Sequence, residues 1–214
     1  MTLPREPFDR PIRLGVLLSG GGSTLVNLLE RIDAGSLPAE VATVVASRQC
    51  RGIGRAEAAG LEGHIVPYRD MPDRDAYSAA IIEHLDAAEV DLVCMAGFLS
   101  LWTIPRRYEG RVMNIHPALL PSFGGRGMHG RRVHQAVLDH GCKVSGCTVH
   151  LADNSYDTGP ILVQKCVPVR EDDTPETLAG RVFDAECEAY PEAIELFAAG
   201  RVVLEGRRIR ITTG

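Results

Sequence analysis

The stretch that decides the fold is Ile12-Arg13-Leu14-Gly15-Val16-Leu17-Leu18-Ser19-Gly20-Gly21-Gly22-Ser23-Thr24-Leu25-Val26. Up to Leu18 it is apolar apart from Arg13, and short enough to be one buried strand. Glycines follow at once. Leu25, Val26, Leu28, Leu29 and Ile32 then recur at helical spacing, and Gly35 stands where a helix C-terminus favours it. The same alternation continues downstream. Val41 to Ala46 predicts a second strand, an Ala-rich helix stops at Gly60, and His64 to Val66 predicts a third, shorter strand. Asp73 is placed to cap a helix from Arg74 to Ala88, with Tyr77, Ala80, Ile81, His84 and Leu85 on one face. Leu92 to Ala96 and Val112 to Ile115 complete five strands. Continuous apolar strands interleaved with helices predict an α/β chain built on an open, twisted, mostly parallel sheet covered on both faces.

The pattern changes after Pro121. One more helix is expected over Arg131 to His140, and then Val144 to Leu151 and Ile161 to Val169 read as strands with no helix between them. That spacing predicts an antiparallel pair in the C-terminal part. Thr174-Pro175 is a helix start, with Thr as cap and Pro at the first helical position. The helix is expected to bend or restart near Pro191 and to end at Gly200, and Val202 to Ile211 to close as a hairpin around Glu205 to Arg207. With no repeat, low-complexity tract or linker, residues 12–214 read as a single domain after an N-terminal extension of residues 1–11.

Composition narrows the classes. Of 214 residues, 45% are hydrophobic and 24% charged, which argues against a disordered or fibrous chain. A formal charge of −5 gives no general attraction to a phosphate backbone, so no nucleic-acid partner is expected. The first residues lack the apolar core of a signal peptide, and no apolar run approaches the roughly 18 residues of a membrane span. The six cysteines form no CxxC pair and read as reduced thiols, so a cytoplasmic protein is expected, away from membranes. His129, His134 and His140 do not stack on one helix face, which leaves no metal site to propose.

Three segments carry chemistry. Ser19 to Thr24 lies between a strand and a helix, where a glycine turn and free N–H groups suit a phosphate. It is not a P-loop, and the dinucleotide fingerprint fails at its third glycine. A plain tight turn would need fewer glycines, so phosphomonoester binding is the more specific reading. Asn114-Ile115-His116-Pro117-Ala118-Leu119-Leu120-Pro121 begins at the carboxyl end of a central strand, where open parallel sheets place their ligands. Asn114 and His116 project to the same side, so an amide and an imidazole converge on one oxygen, as a developing oxyanion requires. A satisfied core histidine is the bland alternative. The third segment, Asp153 to Pro160, is too polar for a core and too long for a minimal hairpin. Its Asp157 is a candidate partner for His116. Calcium is the competing reading, but the D-x-[DN]-x-[DN]-G pattern fails. His150, in a strand, reads as a hydrogen-bonded core residue.

Together with Ala96-Gly97-Phe98-Leu99 and Val149-His150, these segments resemble the folate-dependent formyltransferases, in order and with few gaps from about Ile12 to Leu204. The resemblance implies a Rossmann-like formyltransferase fold, and the glycine loop selects the branch that acts on glycinamide ribonucleotide in purine synthesis. The implied co-substrate is 10-formyltetrahydrofolate, with no metal, in a monomer or homodimer. The family pattern assigns Asn114, His116 and Asp157 to catalysis. It gives Gly22, Ser23 and Thr24 to the acceptor's phosphate and Glu186 to its ribose. Arg74, Leu99, Ser100, Leu101, Trp102, Asn114, Asp153 and Asp157 would surround the folate. It also implies a cis peptide before Pro121. Two departures stand out. Ser100 replaces a residue that is often basic, which bears on the folate's glutamate tail, and Phe123 to Gly130 is longer than in some members and reads as either a mobile flap or a longer surface loop. The implied mechanism is direct attack of the acceptor amine on the formyl carbon, with Asn114 and protonated His116 stabilising the oxyanion. Asp157 is expected to raise the His116 pKa above about 6.5. Rivals are a formyltetrahydrofolate hydrolase, which would carry a further N-terminal domain, a tRNA formyltransferase, which would carry a C-terminal one, and a non-catalytic folate- or nucleotide-binding protein.

Overall fold

The computed structural model describes residues 3–213. From the N-terminus, β1 (Ile12–Leu18) leads through the glycine turn into α1 (Ser23–Asp33), followed by β2 (Ala39–Ala46), α2 (Arg51–Ala58), β3 (Gly63–Ile65) and α3 (Arg74–Ala87). Then come β4 (Leu92–Met95), β5 (Val112–His116), α4 (Arg131–Asp139), β6 (Val144–Leu151), β7 (Ile161–Pro168) and α5 (Pro175–Ala198). A separate antiparallel hairpin, β8 (Val202–Glu205) and β9 (Arg208–Ile211), closes the chain. The elements match the sequence expectations in type, with ends moved by one or two residues where caps and loop bonds decide them.

Seven strands form one sheet in the order β3-β2-β1-β4-β5-β6-β7. Pairing is parallel from β3 to β5 and antiparallel for β5–β6 and β6–β7. Burial on both faces is visible within β1: Ile12, Leu14, Val16 and Leu18 join a core with α1 and α5, while Leu17 joins a second core with Tyr77, Ile81 and Leu85 of α3. Asp73 caps α3 by accepting from the Ala76 N–H at 2.8 Å. The expected apolar face is only partly right. Ser78 is buried where Ala80 and His84 are half-exposed, because its hydroxyl bonds back to the Arg74 carbonyl and accepts from the Thr103 N–H.

Strand order reverses at β1: the chain crosses from β1 to β2 on one side and returns from β3 through α3 to β4 on the other, which opens a crevice at the carboxyl ends of these strands. α5 fixes that end of the sheet. Its start is a reciprocal capping box between Thr174 and Thr177, braced by Asp173, whose carboxylate takes both Arg181 amines and the Arg170 N–H. The expected break at Pro191 does not occur, and α5 runs unbroken through it. Proline leaves the carbonyl four residues back without its helical donor. That carbonyl, Cys187, instead accepts from the Arg31 guanidinium of α1 at 3.4 Å. One residue before the proline, the Tyr190 hydroxyl donates to the carbonyls of Met113 (2.9 Å) and Met95 (3.2 Å), tying α5 to the start of β5 and the end of β4. The N-terminal segment packs on the same helix, with the Phe8 N–H donating to the Ala198 carbonyl at 2.8 Å.

Gly159 sets the loop between β6 and β7. A Cβ there would lie 1.7 Å from the Leu151 carbonyl oxygen. Gly159→Ala is therefore expected to cost about 2–3 kcal/mol, a Tm fall of roughly 4–12 °C for a chain of this size. Gly180→Ala, on the exposed side of α5 with no atom near its Cβ, should instead stabilise by about 0.5–1 kcal/mol. Calorimetry of the two variants checks both signs.

Candidate active site

The glycine turn is held from behind. Ser19 is buried at the end of β1; its Oγ accepts from the Leu99 N–H at 3.0 Å and meets the Ser47 Oγ at 2.6 Å, while its carbonyl accepts from Arg48 Nε at 2.7 Å. Gly22 sits at φ 73°, and a Cβ on it would come within 2.7 Å of the Gly52 Cα, so a left-handed backbone and close approach of α2 both demand glycine. The first turn of α1 carries no side-chain cap and no acidic residue. Its free N–H groups and positive dipole end therefore face the cavity lined by Gly21, Gly22, Ser23 and Thr24.

That cavity, about 480 Å³, runs to the end of β5, where Asn114 and His116 also line it. Antiparallel pairing sets Asn114 opposite His150 and His116 opposite Thr148. The Asn114 Nδ2 lies 3.1 Å from His150 Nε2 and 3.3 Å from Asp157 Oδ1. His116 Nδ1 is 3.5 Å from Asp157 Oδ2, and His150 Nε2 is 3.7 Å from Asp157 Oδ1. A fourth group reaches the same carboxylate from the segment after β5: the Gly125 N–H donates to Asp157 Oδ2 at 2.8 Å. Asp157 itself has φ 56°, a left-handed conformation that aspartate tolerates better than most residues. The path out of β5 is pinned by Thr148, whose hydroxyl accepts from the Leu120 N–H and donates to the Ala118 carbonyl, and the Leu120–Pro121 peptide is cis.

Asn114 and His116 do project to one side, but their donors are turned to protein acceptors. The outer nitrogen of His116, Nε2, bonds the Phe123 carbonyl at 2.8 Å. The expected upward shift of the His116 pKa is overturned. Burial lowers it, and although Asp157 and the Phe123 carbonyl both favour the cation, the net direction is below the ordinary value of 6.5. Asp157 goes the other way. Burial pulls its carboxyl up, yet His150, His116 and the Gly125 N–H together hold it below the usual carboxylate value. The centre thus pairs an ionised carboxylate with an imidazole poised to accept a proton.

Glu186 of α5 lines the main cavity beside Phe183, and burial pushes its carboxyl up to about 8. The remaining expected site residues divide. Leu99 lines the main cavity. Ser100, Leu101, Trp102 and Asp153 line a small pocket beneath it that shares Asn114 and Asp157. Asp153 uses its carboxylate internally, accepting from the Ser155 N–H and the Thr158 hydroxyl. Arg74 stands apart, in an outer groove with Ser100, Leu101 and Arg126. His150 was missed as a site residue, because a histidine inside an apolar strand carries no signal until the register sets it opposite Asn114. Arg126, Met128 and Tyr156, also in the cavity wall, were not singled out. No cluster of three or more His, Cys, Asp or Glu able to hold a metal occurs among the described residues, and no helix there is long and apolar enough to cross a membrane.

The family model described as formyl transferase matches residues 12–194, and the chain belongs to that family. It is similar to the structure of glycinamide ribonucleotide transformylase 1 from Symbiobacterium toebii, with a TM-score of 0.89, 43% identity and 96% of each chain covered. Among curated relatives it is 38% identical to the chloroplastic phosphoribosylglycinamide formyltransferase of Vigna unguiculata, over 89% of this chain and 62% of that protein. It is 39% identical to the trifunctional purine biosynthetic protein adenosine-3 of Drosophila pseudoobscura pseudoobscura, over 88% of this chain. The chain spans only 14% of that larger protein's length.

An NMR titration of the His116 ring should give a pKa below 6.5 in the free protein, and Asp157→Asn should lower it further by removing the anion that favours its cation. A rise in the variant would contradict this account of the site.

Proposed function

We propose that this chain transfers the formyl group of 10-formyltetrahydrofolate to the amine of glycinamide ribonucleotide in de novo purine biosynthesis, within a single domain over residues 12–214. The observation that carries the reading is the position of Asn114, His116 and Asp157. Asn114 and Asp157 line both a cavity headed by an uncapped helix N-terminus and a pocket walled by Ser100, Leu101 and Trp102, and His116 lines the cavity beside them. The names of the relatives support it. The acceptor's phosphate takes the N–H groups of Ser23 and Thr24 beside Gly22, Glu186 accepts from its ribose hydroxyls, and Arg74 with Leu99 to Trp102 and Asp153 surrounds the folate. The six free thiols fit a reducing compartment such as the cytoplasm.

In the reaction, the neutral amine attacks the formyl carbon and the carbonyl oxygen becomes an oxyanion. Asn114 Nδ2 and His116 are the donors, Asn114 giving up its contact with His150 or Asp157 to reach that oxygen. His116 exchanges the Phe123 carbonyl for that oxygen, and negative charge building beside the ring adds to Asp157 in favouring the imidazolium. Each oxyanion donor is worth about 3 kcal/mol, on the order of a hundredfold in rate. Holding the two substrates in reacting geometry supplies much of the remainder. Proton transfer from the amine to the departing folate nitrogen runs through water, His116 or Asp157, and no covalent enzyme intermediate forms.

Purified protein given both substrates should form formylglycinamide ribonucleotide, and release little formate when the acceptor is withheld. Rapid formate release without acceptor would favour a hydrolase. His116→Ala and Asp157→Asn should each lower kcat by about a hundredfold or more. Glu186→Ala should act mainly on the acceptor KM, raising it about fivefold, as expected for loss of a neutral hydrogen bond.

A further inference from the structure

The β8–β9 hairpin forms a small sheet of its own, and none of its described residues lines the main cavity or the pocket beneath it. It is nevertheless a firm arm. At its base the Thr212 N–H donates to the Arg201 carbonyl at 2.9 Å, and Arg201 Nε donates to the Thr212 carbonyl at 2.7 Å. Val202 is buried in the core with α5, Ile209 packs on that core, and β9 lies against β7. Across the strands Arg210 pairs with Glu205 at 2.8 Å. Glu205 faces Arg208, so the turn consists of Gly206 and Arg207. Gly206 takes φ 64° while Arg207 stays out of the left-handed region, the pattern of a tight hairpin turn whose twist matches its strands.

The tip of the arm ends on the loop that carries Asp157. Arg207 Nη2 donates to the Thr158 carbonyl at 2.6 Å, from 49 residues away in sequence. The same Thr158 is held a second time, because its hydroxyl reaches both carboxylate oxygens of Asp153 at 2.8 and 2.9 Å. Next along the chain, Gly159 lies against the Leu151 carbonyl, and the Pro160 carbonyl accepts from the Leu151 N–H at 2.9 Å. Asp157 itself sits at φ 56°, a conformation that a side chain other than glycine keeps only when its surroundings enforce it. Arg207 is exposed, and a bond of that kind adds little to the stability of the whole fold. Its effect is local. It takes freedom from the residue next to the carboxylate on which Asn114, His116, His150 and Gly125 converge, and small displacements of a reacting group cost far more in rate than in stability.

We infer that the hairpin is a positioning arm for the reaction centre, and that Arg207, through the Thr158 carbonyl, keeps the Asp157 carboxylate in place against His116 and Asn114. This rests on the proposed function and deepens it. Arg207 acts through another residue and is a positioning residue.

The test compares Arg207→Gln, Arg207→Lys and, as a control on the same turn, Arg208→Gln with the unaltered protein. NMR titration of the His116 ring in the free protein reads the arm without any substrate. Arg207→Gln should lower the His116 pKa by a few tenths, because a displaced Asp157 favours the cation less. In steady-state transfer its kcat should fall about five- to tenfold while both KM values stay within about twofold, since no wall of either binding space has changed. Arg207→Lys, which keeps a donor, should recover most of both losses, and Arg208→Gln should match the unaltered protein. Tm should be unchanged throughout. An unmoved His116 titration in Arg207→Gln would overturn the arm, as would equal losses in Arg208→Gln or a fall in Tm that Arg207→Lys does not restore. A moved titration with unchanged kcat would overturn its tie to the reaction. A moved titration in a protein that transfers no formyl group at all would sink the proposed function and leave the arm standing.

Discussion

One buried carboxylate organises the functional end of this molecule. Asp157 is approached by Asn114 from β5, His150 from β6, His116 at the end of β5 and the Gly125 N–H from the following segment. An ionised carboxylate removed from water is tolerable only when such groups surround it. Once it is there, each of them is held in turn. The amide of Asn114 cannot rotate without releasing the carboxylate and leaving His150 Nε2 without its 3.1 Å contact. The 123–125 backbone is fixed at both ends, by His116 on Phe123 and by Asp157 on Gly125.

The rest of the fold serves to bring these groups together. Reversal of strand order at β1 opens the crevice, and the antiparallel turn from β5 into β6 adds a strand whose inward residues can face those of β5. The β6–β7 loop then returns Asp157 to the end of β5, at an angle that Gly159 permits through its contact with the Leu151 carbonyl. α5 closes the other side, with Tyr190 on the end of β4 and the start of β5 and Glu186 four residues earlier in the cavity wall. Burial has opposite outcomes at the acidic groups. Among the described residues no cation offsets it at Glu186, which is pushed up to about 8, while the neighbours of Asp157 outweigh it. A fold of this kind can therefore keep one carboxyl protonated and another ionised a short way apart.

Much of this was legible from residue pattern. Apolar runs without alternation gave the parallel strands, Asp73 and Thr174-Pro175 marked two helix starts, and Asn114-x-His116 announced a polar pair on one strand face. Two readings failed for a common reason: a simple rule was overridden by what the fold packs around the residue. Proline at 191 should interrupt a helix, but the carbonyl it strands is met by Arg31, 156 residues away from Cys187. A carboxylate beside a histidine should raise its pKa, but the burial of His116 outweighs Asp157.

The sequence by itself determined the α/β class, the order and type of the elements, and which residue types were available for chemistry, because these follow from periodicity, caps and turn residues within a few positions of one another. Only the tertiary structure decided that His150 faces Asn114, that Gly125 caps Asp157 and that Arg126 shares a groove with Arg74. Those contacts depend on strand register and on how loops return over the sheet. The direction of the His116 pKa was settled there too, since desolvation is a property of everything packed around a group and is written in no single stretch of chain.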